Sequence, residues 1–166
     1  MHHRAAGLFL IVAVCLCFSS APVLGQDAEQ AEDMTTATMV MADDLAFTPL
    51  EVPGFDSGME IAGLHGDFTA EGPYTLRISF PDGYRFPAHF HPLDENFTVI
   101  SGILLLAMGD TVDESQLVGY GPGDYVNVPA EHPHFGGATG YTVIQLHGIG
   151  PFEIILVEET AASKGY

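Results

Sequence analysis

Two short segments of this chain hold the residue types that bind metals. The first, Ala88-His89-Phe90-His91-Pro92-Leu93-Asp94-Glu95, sets two imidazoles one residue apart and a carboxylate four residues after the second. The other, Pro129-Ala130-Glu131-His132-Pro133-His134, repeats the His-X-His spacing. In a β-strand, residues i and i+2 point to one face with Cα atoms about 6–7 Å apart, so both imidazoles can reach one ion. Pro92, Leu93 and Asp94 read as a turn, which lets Glu95 open the next strand and fold its carboxylate back. The later segment supplies a further imidazole, from His132 or His134. Three neutral imidazoles and a carboxylate suit one divalent transition metal such as Fe, Mn, Co, Ni, Cu or Zn. Four protein ligands leave one or two positions open for water or substrate. A single strand histidine is more often an ordinary packed residue. The added Glu95 and the second histidine pair are what point to a site.

Such a set must be held by strands, and the surrounding pattern predicts them. Polarity alternates over residues 60–65, 74–80, 88–91, 96–108, 125–128, 141–147 and 152–157. Between these runs stand turn signals, among them Pro81-Asp82-Gly83, Gly109-Asp110, Gly121-Pro122-Gly123-Asp124 and Gly136-Gly137. Closely spaced strands with this punctuation predict an all-β antiparallel sandwich or barrel. One helical turn is expected near residues 113–117. No repeat and no second domain is visible.

Composition excludes some partners. The chain carries 22 acidic and 4 basic residues, a net charge of −18. It has no basic footprint for nucleic acid or an anionic membrane. The N-terminus reads as a secretory signal: His2, His3 and Arg4 precede an apolar run over residues 5–18, with small residues leading to a cut after Gly25. That run is shorter than the roughly 20 residues a membrane span needs. Cys15 and Cys17 both lie inside it, so a cleaved protein has no cysteine for disulfides or thiolate ligation. The expected organisation is a signal peptide at 1–25, a flexible acidic leader at 26–44 and the β domain at 45–160. The expected location is therefore periplasmic or secreted, with no membrane association after cleavage; an uncleaved anchor is the alternative, because the weakly apolar stretch continues to Leu24.

The two segments resemble the paired motifs of the cupin superfamily. The first family motif runs Gly, five residues, His-X-His, three or four residues, Glu, six residues, Gly. Here Gly83, His89, His91, Glu95 and Gly102 match every position. In the second motif Gly123, Pro129 and His134 match, while Glu131 stands for an inner Gly and Ala138 for a final Asn. The likeness covers roughly residues 60–157 and is nearest to small, exported, single-domain bacterial cupins of RmlC-like type. It implies a jelly-roll β-barrel with the metal inside, and often a homodimer. It also selects His134 over His132 as the ligand, leaving His132 for the surroundings of the site or the barrel mouth.

Other residues are candidates for those surroundings. Counting by twos from the ligands puts Arg85 on the His89 face and Phe97 on the Glu95 face. Gln145 and His147 share a face of a late strand, and Tyr125 could bring a phenol close. Three functions suit this reading: a metal-dependent oxidoreductase of dioxygenase type acting on a small molecule, a non-redox isomerase, lyase or hydrolase, and a non-catalytic module that captures a small molecule or the metal. No Ser-His-Asp order, phosphate loop or nucleotide fingerprint is present.

Overall fold

The computed structural model describes residues 37–157. The signal segment, leader residues 26–36 and the end of the expected β domain lie outside them. Nine antiparallel strands account for most of the described chain: β1 (Thr48–Pro49), β2 (Glu60–His65), β3 (Gly72–Phe80), β4 (Arg85–Phe90), β5 (Glu95–Met108), β6 (Val118–Tyr120), β7 (Tyr125–Val128), β8 (His134–Gly150) and β9 (Ile155–Leu156). The expected helical turn is a 3-10 turn at Glu114–Gln116, opened by the Asp113 carboxylate accepting from the Ser115 amide.

The long strands β5 and β8 pair along their whole lengths and bend together. The late half of β5 joins β6 and the early half of β8 joins β4, with β9 on β4. Their other halves join β3 and β7, with β2 and β1 beyond. The two leaves face one another across the main core, and a smaller cluster of Ala88, Ala107 and Phe135 lies apart from it. Leu76, Ile78, Phe97, Val99, Ile144 and Leu146 come from one leaf, and Phe86, Leu104, Leu106 and Ala138 from the other. This is the all-β antiparallel architecture that the strand pattern predicts, with the jelly roll that the cupin resemblance implies.

The bend is made by a glycine. Gly102 has φ +75, and a Cβ there would run into Thr142 Oγ1 and the Tyr141 carbonyl. Thr142, fully buried, donates to the Ile103 carbonyl and accepts from its amide, so the break in register keeps its polar groups paired.

Two expectations are corrected. Gly136-Gly137 is not a turn but lies inside β8. A Cβ on Gly136 would meet the Leu105 carbonyl and one on Gly137 the Tyr84 carbonyl, so these glycines let neighbouring strands close in. Counting by twos back from His89 also fails. The β4–β8 register breaks between Phe86 and His89, at Pro87, which has no amide to donate. Phe86, Ala88 and His89 are all buried as a result, and Arg85 is exposed.

Candidate metal centre

His89 sits at the end of β4, His91 follows that strand, Glu95 opens β5 and His134 opens β8. All four are buried. The ring centroids of His89 and His134 are 4.2 Å apart, those of His89 and His91 5.1 Å, and those of His91 and His134 5.3 Å. Glu95 Oε2 lies 3.6 Å from His91 Nε2 and 3.4 Å from His134 Nε2. The ligand atoms of the three histidines lie within 4.8 Å of one another, and the carboxylate stands beside two of them, near the roughly 3–3.5 Å that separates atoms bound about 2.1 Å from one ion.

The imidazoles are locked by main-chain carbonyls. His89 Nδ1 lies 2.9 Å from Pro87 O, His91 Nδ1 2.6 Å from Glu153 O, and His134 Nδ1 3.1 Å from His132 O. A carbonyl can only accept, so each Nδ1 carries the proton and each Nε2 presents a bare lone pair. His91 Nε2 is buried with no hydrogen-bond partner. Three lone pairs thus converge beside a carboxyl group, and either that group's proton or a cation must stand among them. The outer bonds are those expected around metal-ligating histidines. This donor set fits a divalent transition ion.

Burial sets the protonation. It holds His89 down to about 2 and His91 to about 4, and it lowers His134 as well. Burial also pushes Glu95 up to about 8. Without a metal, Glu95 therefore keeps a proton near neutrality and the histidines do not take one.

The surrounding cavity is apolar. Phe55, Phe86, Phe97, Phe152, Ile154 and other aliphatic side chains line it, and its only titratable lining groups are the four converging residues. Its free volume is about 40 Å³, on a scale where an ordered water needs roughly 10–15 Å³. Phe152 stacks on His91 at 4.7 Å, and Phe55 meets His89 edge-on at 4.9 Å.

The expected surrounding residues divide sharply. Phe97 is in the wall. His132 is exposed, and its contribution is its carbonyl, not its ring. Gln145 and His147 face away, because Ile144 and Leu146 take the inward positions of β8; Gln145 accepts from Arg77 Nε instead. Tyr125 is exposed and donates to Asn96 Oδ1. Arg85 turns its guanidinium to the carbonyls of Gly83, Tyr84 and Ala138. Sequence reasoning missed Phe55, Phe152 and the Glu153 carbonyl. Phe55 lies outside any alternating run, Phe152 opens a run with nothing in it to tie it to the site, and a backbone carbonyl leaves no signature in residue type.

Where Glu131 replaces the motif's glycine, the turn survives with Glu131 itself at φ +61. Ala138, in place of the motif's Asn, is buried in β8 against the core.

Comparison with known proteins agrees with this architecture. A family profile described as a domain of unknown function (DUF4437) matches residues 38–163. The polyketide cyclase RemF from Streptomyces resistomycificus superposes with a TM-score of 0.62 at 19% identity, over 76% of this chain and 89% of that one. A cupin 2 conserved barrel domain protein from Rhodopseudomonas palustris gives 0.58 at 15%, over 76% and 88%. An RmlC-like cupin from Shewanella frigidimarina gives 0.51 at 15%, over 75% and 95%. At these identities the likeness establishes the cupin fold. No curated protein matches the sequence.

Proposed function

The chain belongs to the DUF4437 family, and on that premise we propose that it is a metal-binding cupin holding one divalent transition ion through His89, His91, Glu95 and His134. The observation that carries this reading is the set of three Nδ1–carbonyl bonds around one cluster of histidines, which leave each Nε2 free to ligate and set those of His91 and His134 beside Glu95.

As an enzyme it would be a metal-dependent oxidoreductase of dioxygenase type on a small molecule. The ion, when bound, would supply a Lewis-acid or redox centre in a water-poor pocket. The chain's own part is to orient and to exclude. The carbonyls of Pro87, His132 and Glu153 hold the rings, and the Glu95 carboxylate offsets part of the ion's charge. The phenylalanine wall keeps bulk water from an oxygen-bearing ligand, where electrostatics are stronger than in solvent. The small free volume favours a small ligand.

The non-redox reading, as isomerase, lyase or hydrolase, and the capture module remain the alternatives. Elemental analysis of protein purified without affinity-tag metals distinguishes them. One equivalent of Fe, Mn, Ni or Cu supports the redox reading and directs the search to oxygen consumption. Zinc favours the non-redox one. No metal after reconstitution overturns the metal site.

We also propose export, on the pattern at residues 1–25, and a homodimer, on the cupin resemblance. N-terminal sequencing of the cell-envelope protein and sedimentation of the purified one test them. A start at Met1 would mean the segment is kept as an anchor, absence of the protein from the envelope would sink export, and a monomer would sink the second. Among the described residues no helix is long and apolar enough to cross a membrane.

A further inference from the structure

We infer that Asp94 is a positioning residue for the metal site, acting as a clasp between the two loops that carry its ligands. The inference rests on the metal-binding reading above. His91 and Glu95 bracket the loop between β4 and β5, while His134 ends the loop between β7 and β8. Two hydrogen bonds tie these loops together. The Glu131 amide donates to the His91 carbonyl at 2.8 Å, and the Ala130 amide donates to Asp94 Oδ1 at 2.8 Å. The first is main chain to main chain. The second is the one in which a side chain decides whether the bond exists.

Asp94 is itself exposed and outside the cavity, so it touches neither a ligand nor an occupant. Its effect runs through the backbone. It is covalently next to Glu95 and three residues from His91, and its partner Ala130 is four residues before His134. The bond needs an acceptor oxygen at this position, which aspartate and asparagine both offer and alanine does not. Releasing it leaves the core intact but frees the two loops to drift. Metal sites lose affinity when outer supports are removed, by roughly 10–100-fold.

The test is Co(II) binding, by chelator competition and by the visible absorption of the bound ion, beside thermal melts of the metal-free proteins. Asp94→Ala should weaken Co(II) binding roughly tenfold or more and alter the absorption bands. Asp94→Asn retains an acceptor oxygen without the charge and should restore most of the affinity. Asp82→Ala is the control. Asp82 makes the same kind of exposed bond, from its carboxylate to the Gly140 amide, beyond the opposite end of β4. That variant should shift the melting temperature about as far as Asp94→Ala, with Co(II) affinity unchanged. Wild-type affinity in Asp94→Ala overturns the clasp while leaving the metal site standing. An Asn variant as weak as the Ala one assigns the effect to charge and overturns it too. Equal losses of affinity in both Ala variants mean general loosening, and the clasp falls in that case as well. A wild-type protein that takes up no Co(II) overturns the clasp together with the metal-binding reading.

Discussion

The imidazole Nδ1 of His91 donates to the carbonyl of Glu153, 62 residues later, at 2.6 Å. The segment after β8 thus returns to the mouth of the barrel and fixes a ring there. Phe152, one residue before, stacks on the same imidazole. One short stretch both orients a ligand and closes the cavity. Phe152→Ala should leave the four ligands in place and open the mouth. Metal stoichiometry is expected to remain one, while release to a chelator accelerates several-fold. Because Phe152 is only partly buried, the stability loss should fall below the roughly 3–5 kcal/mol typical of core Phe→Ala changes. Unchanged release kinetics would mean that access does not run past this ring.

The two histidines of the second segment should behave in opposite ways. His134 is buried with its Nε2 beside Glu95, whereas His132 is exposed with its Nδ1 3.3 Å from the Ala130 carbonyl. His134→Ala and His91→Ala are expected to lose stoichiometric metal. His132→Ala should keep it, since the carbonyl it lends to His134 belongs to the backbone. Elemental analysis of the three variants checks this, and metal loss in His132→Ala would contradict the assignment.

Much of this was legible in residue types. The His89, His91 and Glu95 spacing, the alternation through β7, and the inward position of Phe97 follow from the strand period of two. That period failed where the backbone departs from it. Pro87 interrupts β4, so Arg85 lies outside while Phe86 and His89 are both buried. Gln145 and His147 were candidates because they share a face, but a shared face does not say which face. Ile144 and Leu146 settled that by burying more apolar surface. Gly136 and Gly137 look like a turn because glycine serves both turns and close strand approach. The carbonyls that orient the rings carry no side-chain signal at all.

Gly136 gives a direct measure of that close approach. Gly136→Ala would drive a methyl group into the Leu105 carbonyl and against the Phe86 ring. The expected loss is about 3 kcal/mol, at the upper end for overpacking. Gly140→Ala has open space around its Cβ but a φ of +73, so its loss should stay nearer 1 kcal/mol. Urea titration of both variants separates the two causes. Equal losses would mean that the Leu105 strand gives way at little cost and the carbonyl contact is not what fixes glycine at 136.

Glu131 offers the reverse experiment. Its φ of +61 is one that glycine adopts freely and other residues adopt at a cost of about 1–2 kcal/mol. Glycine loses more chain entropy on folding, which returns about 0.5–1 kcal/mol. Glu131→Gly should therefore stabilise the protein by up to about 1 kcal/mol. The amide bond to the His91 carbonyl is retained, so metal affinity should not change. A destabilised variant would show that the Glu131 side chain contributes more than its backbone strain takes away.

The pH dependence of the metal-free protein follows from opposite shifts in one cavity. For the histidines, the folded pKa lies below the unfolded value of 6.5. As pH falls below 6.5 the unfolded chain takes up protons that the folded one refuses, and stability drops. For Glu95 the folded value of about 8 lies above 4.5. Between these limits the folded state holds the extra proton, so this group's contribution declines as pH rises. Three histidines outweigh one glutamate below 6.5, and the glutamate acts alone above it. Stability of the apo form should therefore peak near pH 6.5 and decline on both sides. Metal binding obeys the same proton balance. At pH 7 the histidines are already neutral and only Glu95 must give up a proton. Calorimetry in buffers of different ionisation enthalpy should then find about one proton released per ion, with affinity rising about tenfold per pH unit until about 8. Release of two or three protons would mean that the histidines are protonated in the apo site, and the lone-pair argument for the centre would fail.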